Sequence, residues 1–238
     1  MEFGSTAFWL ALGQIIWVNI LLSGDNAVVI ALAARSLPPK QQKQAVIIGS
    51  AAAVVMRIAL TLVAVQLMQL PWLKFIGAIL LVYIGVTLLL PEPDESHGGD
   101  GAGNMFAAVR TILIADLVMS LDNVIAVAAA AKGSTLLLVL GLAISIPLVI
   151  FGSTLLLKVI NRYPMIVWLG AALLGFIAGE IMVDDKGVAS YLHAFGASLG
   201  IPAEKLGLAF GIAGAILVVA LGKYLLVRRA GKGQGVAA

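Results

Sequence analysis

Two stretches, IIWVNILLSGDNAVVIALAAR (residues 15–35) and RTILIADLVMSLDNVIAVAAAAK (110–132), decide the fold of this 238-residue chain. Both are long apolar runs, and each carries an aspartate followed by an asparagine near its middle. At an offset of 97 residues Asp25 aligns with Asp122, so the two stretches are copies of one unit. Apolar runs of this length are typical of helices that cross a bilayer.

The composition excludes several classes of protein. Hydrophobic residue types make up 61% of the chain and charged types 11%, whereas soluble domains are nearer about 45–50% and about 25%. A water-soluble globule is thereby excluded, and so is a disordered chain, which needs low hydrophobicity and high charge. A net charge of +3 without a basic, aromatic-rich patch excludes a nucleic-acid-binding protein. The absence of cysteine excludes disulfides, iron–sulfur clusters and thiolate chemistry.

The chain is predicted to be an all-α polytopic membrane protein with seven transmembrane helices. The seven apolar runs are residues 8–33, 45–68, 72–90, 106–131, 135–158, 165–183 and 206–227. Residues 91–105, rich in acidic residues and glycine, are predicted to form a flexible cytoplasmic linker, and residues 184–205 an external loop. Ten Lys and Arg residues fall on one side and four on the other. This asymmetry predicts an external N-terminus and a cytoplasmic C-terminus.

A repeat extends beyond the two opening stretches. PWLKFIGAILLVYIGVTLL (71–89) aligns with PMIVWLGAALLGFIAGEIM (164–182) at an offset of 93, and the middle spans agree weakly around Gly49 and Gly141. The sequence therefore predicts a first three-helix repeat in residues 1–90 and a second in 106–183, with a seventh helix and tail in 206–238. Because three is odd, the second copy is inverted in the membrane, an arrangement that recurs in secondary transporters with a site at the midplane.

Polar residues lie inside the predicted spans, where one charged side chain costs about 2.5–3.5 kcal/mol on insertion scales. We therefore expect all of them to face the interior of the helix bundle. They are Asn19, Ser23, Asp25, Asn26, Arg57, Asp116, Ser120, Asp122, Asn123 and Glu180. Met119, on the arc between Asp116 and Asp122, is either core packing or a soft ligand, and Arg57 and Glu180 also fit a structural ion pair.

The chemistry of this set indicates a hard divalent cation. Carboxylate, amide and hydroxyl oxygens suit Mg²⁺, Ca²⁺ and Mn²⁺, and the spans carry no histidine or cysteine for zinc or copper. Four carboxylates and Arg57 would leave a charge of −3, which requires protons or cations as counter-charge. This balance provides a physical basis for exchange of the metal against protons. No prosthetic group is expected.

Asp25 lies about 100° around the helix from Asn26, so either the polar stripe widens there or the helix loosens. Gly24-Asp25-Asn26 are three poor helix formers in sequence, which favours loosening in the first span. Unwound backbone would present carbonyl oxygens to a cation, as in the broken helices of transporters. Leu121 stands where the first copy has Gly24, so the fourth span is expected to be more regular.

SGDNAVVIALAAR in the first span and ADLVMSLDNVIAVAAAA in the fourth resemble the paired Asp-Asn signatures of the TerC family of integral membrane proteins. The chain is most similar to the YjbE-like group of metal transporters within the LysE-type exporter superfamily. The resemblance implies a multi-pass protein of the bacterial inner membrane, linked to manganese efflux and to metal supply for exported enzymes. It also carries a historical association with tellurite resistance. Carried over residue by residue, it implies metal ligands at Asp25, Asn26, Asp116, Asp122 and Asn123.

The leading hypothesis is a divalent-cation exporter, for Mn²⁺, that works by alternating access at a midplane Asp/Asn site with protons as the counter-ion. One alternative is an accessory subunit that associates with the secretion machinery and delivers metal to secreted proteins. A second is an intramembrane aspartyl protease with Asp25 and Asp122 as its dyad. The sequence disfavours the protease, because each aspartate is followed by an asparagine in a duplicated motif, and we expect no enzyme activity.

Overall fold

Every described element of the chain is an α-helix. The computed structural model describes residues 6–67, 70–90, 101–131 and 134–233. The helices are α1 Thr6–Leu21, α2 Gly24–Ala34, α3 Pro39–Leu67, α4 Leu73–Leu89, α5 Gly101–Ala131, α6 Thr135–Arg162, α7 Met165–Val183, α8 Ala189–Ser198 and α9 Ala203–Gly233. No strand occurs among these residues, which confirms the all-α prediction.

Among the described residues, five helices contain apolar segments long enough to cross a bilayer: α3, α5, α6, α7 and α9. The helices α1, α2 and α4 are apolar but shorter. Large apolar side chains point outward, and Trp9, Phe106 and Phe151 are each more than half exposed. An extensive surface of such side chains is favourable when lipid surrounds it and costly in water. The chain is therefore a multi-pass integral membrane protein. The count of seven spans stays a prediction.

The first predicted span is broken. α1 ends at Leu21 and α2 begins at Gly24, with a turn at Leu22–Ser23. At this turn the carbonyl oxygen of Leu22 accepts a hydrogen bond from the side-chain amide of Asn26, at 2.9 Å. The break thus lies just before the predicted position, since Gly24, Asp25 and Asn26 form the first turn of α2. By contrast, α5 is continuous through Leu121, as expected.

The helices group into two compact units that cut across the predicted repeats. Unit 1 comprises Met1–Leu70 and Gly99–Arg162, and unit 2 comprises Pro71–Gly98 and Tyr163–Ala238. Each sequence half therefore contributes helices to both units, and the predicted repeats 1–90 and 106–183 stay a prediction. Unit 1 contains α1, α2, α3, α5 and α6, so both Asp-Asn motifs belong to it.

Two close contacts inside unit 1 involve residues that the repeat relates to each other. A Cβ added to Gly49 of α3 would lie 2.7 Å from Cδ1 of Ile112 on α5. A Cβ added to Gly141 of α6 would lie 2.9 Å from Cβ of Ile15 on α1. Ile15 and Ile112 are related by the offset of 97, and Gly49 aligns with Gly141. In each half, the glycine of the middle helix thus leaves room for an isoleucine from the other half, and the two isoleucines occupy equivalent positions in the repeat.

Two predicted loops contain helix. Residues 101–105, assigned to the linker, form the first turn of α5, because a helix extends readily once nucleated. Residues 91–100 lie outside the described part. The segment 184–205 contains α8, which packs on α9 through Gly196 against Leu206, and α9 begins before the predicted residue 206. The predicted external placement of this segment is not tested.

In unit 2 the start of α4 is held by Asp185, which follows the end of α7. Its carboxylate accepts hydrogen bonds from the backbone N–H groups of Trp72 at 3.0 Å, Lys74 at 3.0 Å and Phe75 at 3.2 Å. Burial alone would raise the pKa of the Asp185 carboxyl, but the N–H donors of Gly187, Phe75, Trp72 and Lys74 together lower that pKa below its usual value. Since α4 also packs along α7, the two helices run antiparallel.

We expect Asp185→Asn to lower the free energy of unfolding by about 2 kcal/mol at neutral pH, because a charged acceptor of several helix N-terminal N–H groups is lost. A lowered pKa means that this contribution is present above the unfolded-state pKa, about 3.9 for Asp. It is lost as the pH falls through the folded-state pKa. Thermal unfolding in detergent should therefore show a gap between parent and variant that closes below about pH 4.

The matched control for this experiment is the neighbouring residue Asp184, whose side chain is exposed. Asp184→Asn should change the unfolding temperature little at any pH, since surface substitutions away from such contacts have small effects. Equal behaviour of the two variants would contradict the capping role of Asp185.

Candidate functional site

A buried ion pair joins α3 to α5 inside unit 1. The guanidinium of Arg57 donates to Oδ1 of Asp116 through Nη2, and its Nε donates to Oγ of Ser120 at 3.0 Å. The Ser120 hydroxyl in turn donates to Oδ2 of Asp116 at 3.2 Å. Arg57 is 4% exposed, Asp116 6% and Ser120 fully buried. The structure thus assigns a partner to the arginine that the sequence places inside a span.

Helical spacing explains why this cluster forms on α5. Asp116 and Ser120 are four residues apart, so their side chains stand one above the other on the face of α5 that packs against α3. Gly49, two turns earlier on α3, lets this helix approach Ile112 closely. Arg57 then lies level with the polar stripe of α5, where the guanidinium reaches both side chains.

Asp25 and Asn26 lie at the start of α2, at the break in the first span. The Asp25 side chain accepts a hydrogen bond from the backbone N–H of Asn26 at 2.8 Å, and its carboxyl lies within electrostatic range of Arg57 and Asp116. The Asn26 side chain is buried, and its amide donates to Leu22. Within the described part of the chain its Oδ1 has no hydrogen-bond partner. The amide oxygen is oriented by the hydrogen bond to Leu22 and is available as a ligand for a cation.

The other predicted residues in unit 1 divide into two groups. Ser23 and Met119 are buried, and Asn123 is half-buried, in keeping with interior positions. The side chains of Asn19 and Asp122 lie outside the described residues, although the backbone places them on α1 and α5.

Glu180 corrects the expectation that every ionisable residue in a span faces inward. Its side chain is exposed on α7, and α7 belongs to unit 2 rather than unit 1. The reason is local: the neighbouring face of α7 is used by Gly175 and Gly179 for close packing on α9, which leaves Glu180 outside that contact.

The described side chains alone do not complete a metal site. Among them, no three His, Cys, Asp or Glu residues converge as metal ligands would. An ionised Asp25 would contribute −1, whereas the charge of Asp116 is balanced by Arg57, so the described charges would then sum to −1. Asp122 is the remaining carboxylate of the motif. With it, the cluster would carry the −2 that balances a divalent cation.

Sequence reasoning missed two features of unit 1. Ser50 on α3 is buried, and its hydroxyl has no partner among the described residues. A cavity of about 170 Å³ lies beside the helix break, between α1–α2 and α6, and its lining includes Ser23, Gly24, Ser145 and Val149. The signal for the cavity was present in the run of small residues on α2 and α6, but small residues equally permit close packing.

A multi-pass helical membrane protein with a buried charged cluster beside a broken helix is the class that the fold and the site define. Residues 4–230 match the family model described as the integral membrane protein TerC family. The chain belongs to the TerC family, as its paired Asp-Asn motifs indicated.

Three relatives illustrate the spread of the similarity. The membrane protein YjbE of Bacillus subtilis is 43% identical over 189 residues, which cover 79% of this chain and 86% of YjbE. YceF of the same organism is 27% identical over 71% of this chain and 69% of its own length. The inner membrane protein YoaE of Escherichia coli is 26% identical over 79% of this chain but only 40% of its own length. No solved structure matches the chain.

Proposed function

We propose that this protein transports a divalent metal cation, Mn²⁺ foremost, out of the cytoplasm of a bacterial cell. The observation that carries the proposal is the position of Asp25 and Asn26 at a helix break inside the membrane segment, beside the buried Arg57–Asp116 pair. Isolated charges in such a place are too costly to be accidental. The association of the TerC family with metal transport supports the same function.

The chemistry of the proposed site is that of oxygen ligation. Asp25, Asp122, Asn26 and Asn123 would supply two carboxylates and two amide oxygens, and the break before α2 adds backbone carbonyls. Asp116 would join them whenever Arg57 releases it. Because the carboxylates need a positive partner in every state, departure of the metal would be coupled to proton uptake. Protons are therefore the proposed counter-ion.

The proposed mechanism is alternating access by two inverted three-helix repeats within seven spans, with the C-terminus in the cytoplasm. The equivalent Gly49–Ile112 and Gly141–Ile15 contacts support the repeat, and so does the antiparallel packing of α4 along α7. In alternating access the two repeats exchange conformations, and this exchange is easy when the two conformations have similar energies.

The test is Mn²⁺ accumulation in cells that lack the protein and express a variant instead. We expect Asp25→Asn and Asp122→Asn each to reduce Mn²⁺ efflux at least about 100-fold, since loss of even an outer-shell partner of a metal costs about 10–100-fold. Asp184→Asn, at an exposed aspartate beyond α7, is the control and should export as the parent does. Full Mn²⁺ tolerance in both site variants would reject the proposed site.

Purified protein in sealed vesicles separates the proposal from its alternatives. An exporter moves Mn²⁺ by itself, whereas an accessory subunit for secreted proteins would bind metal without flux. Cleavage of a transmembrane peptide that depends on Asp25 would instead support the protease. Neither alternative has a structural observation in its favour.

A further inference from the structure

The helix α8 lies in the connection between two apolar helices of unit 2. The apolar segment of α7 ends at Val183, and that of α9 begins at Ala203. The start of α4 lies at the same end of the unit, because the carboxylate of Asp185, just after α7, accepts hydrogen bonds from its backbone N–H groups. Three apolar helices therefore have an end at one level, which is a surface of the membrane.

The axis of α8 runs across these helix ends. At its start, the backbone N–H of Ala189 donates to the carbonyl oxygen of Asp185 at 2.8 Å. Near its other end, a Cβ at Gly196 would meet the side chain of Leu206 in the first turn of α9. Because α9 packs antiparallel along α7, that first turn is level with the end of α7. Both ends of α8 are thus held at one level, so the helix lies parallel to the membrane plane.

The side chains around α8 divide into three arcs at about 100° per residue. Gly196 is buried and Leu192 half-buried, and they mark the side that packs on the protein. Beside this side lie Tyr191, Phe195 and Leu199, which are 73%, 55% and 59% exposed. The remaining arc is exposed and carries small or polar side chains: Ser190, His193, Ala194, Ala197 and Ser198. The helix is therefore amphipathic, and its apolar arc is not covered by the described part of the chain.

We propose that α8 is an interfacial helix, with the apolar arc of Tyr191, Phe195 and Leu199 inserted at the boundary between lipid headgroups and acyl chains. This arc continues the apolar outer surface of the neighbouring helices. Near the same level, Ile76 in the first turn of α4 and Leu208 in the second turn of α9 are 56% and 52% exposed. The partner of the arc is thus the lipid bilayer, and the inference is independent of the transported ion.

An exposed tryptophan beside α8 supports this partner. Trp72, just before α4, is 48% exposed, and a Cβ at Gly187 in the chain that leads into α8 would meet its ring. Tryptophan and tyrosine are enriched at membrane–water interfaces, where the ring contacts lipid and the polar atom stays hydrated. Trp72 and Tyr191 therefore mark the depth of the headgroups at this end of unit 2.

The charges near α8 indicate that apolar area, and not headgroup charge, holds the helix in place. In the segment 184–205 the exposed charged residues are two acidic and two basic: Asp184, Glu204, Lys186 and Lys205. Their sum is zero, whereas attraction to anionic lipid needs a cluster of basic residues. We therefore expect the same insertion in neutral and in anionic membranes.

Spin labels measure the insertion directly. The chain contains no cysteine, so a single introduced cysteine carries a nitroxide without background. In protein reconstituted into phosphatidylcholine liposomes, labels at Tyr191→Cys and Phe195→Cys should lie about 5–10 Å inside the headgroup boundary by power-saturation EPR, the depth to which interfacial helices insert. Labels at His193→Cys and Ala197→Cys, on the opposite side of α8, are the matched controls and should be more accessible to a water-soluble nickel complex than to oxygen.

The four labelled positions are exposed, so each substitution should leave the fold intact and either apolar position can test the inference alone. A label at Ile212→Cys, 49% exposed on α9, is the reference for contact with acyl chains. Equal access of the nickel complex to both sides of α8 would place the helix in water and overturn the inference. A label at position 195 that neither oxygen nor nickel reaches would show a protein partner and overturn it too. So would insertion that requires added phosphatidylglycerol.

Discussion

Arg57→Met should lower the free energy of unfolding by about 3–5 kcal/mol, because it leaves the Asp116 carboxylate buried without its counter-cation. The two side chains are 4% and 6% exposed, and Ser120 is the other described hydrogen-bond partner of Asp116. Thermal unfolding of the purified protein in detergent measures the loss. The loss of stability should be larger than the loss caused by replacing an exposed charged residue, since surface ion pairs contribute about 0–1 kcal/mol.

The double variant Arg57→Met/Asp116→Asn should recover most of that loss. Removing both charges removes the desolvation cost together with the attraction, and such replacements are often neutral. Arg110→Met, at an exposed arginine on α5, is the matched control and should have little effect. If the double variant were as unstable as Arg57→Met alone, the instability would come from lost packing of the arginine rather than from an unpaired carboxylate.

The double variant Gly175→Ala/Gly179→Ala should destabilise unit 2 by at least about 3 kcal/mol, because each added methyl group meets backbone. A Cβ at Gly175 would lie 2.8 Å from the carbonyl carbon of Gly214, and a Cβ at Gly179 would lie 2.7 Å from the backbone nitrogen of Gly211. Both contacts join α7 to α9. Backbone cannot rotate away as a side chain does, so the two helices must separate, with loss of the van der Waals contacts that hold helices together in lipid.

Gly207→Ala on the same α9 is the control, since an added Cβ there would meet no atom of another described element within 4 Å. It should be neutral or stabilise the protein by up to about 1 kcal/mol, from the better helix propensity of alanine. Melting curves in one detergent compare the variants. A double variant at positions 175 and 179 that melts with the parent would show that α7 and α9 are not in close contact.

Much of the fold follows from local sequence. Apolar runs with almost no charge have one stable form in lipid, the helix, and therefore the apolar helices could be predicted, whereas α8 and the first turns of α3 and α5 were assigned to loops. The break in the first span was also predictable, because glycine, aspartate and asparagine all weaken a helix. Its displacement to Leu22–Ser23 was not predictable, since it depends on the Asn26 side chain bonding to the Leu22 carbonyl.

The candidate site was predictable in part. Asp25, Asn26, Ser120 and Asp116 were singled out because polar groups in lipid need partners, and the structure surrounds them with protein or with one another. The expectation that Glu180 faces the bundle interior was wrong. The cost of a polar group in lipid does not reveal which face of α7 packs on α9 through Gly175 and Gly179. The cavity was missed because its existence depends on how far apart two helices lie.

The sequence by itself determined the class of protein, the helices and the family, because hydrophobicity and the duplicated motif are properties of continuous segments of the chain. Only the tertiary structure decided that Arg57 pairs with Asp116, 59 residues away, and that a cavity lies beside Val149. An ion pair or a void is a relation between helices, and its energy depends on distances that no stretch of sequence specifies.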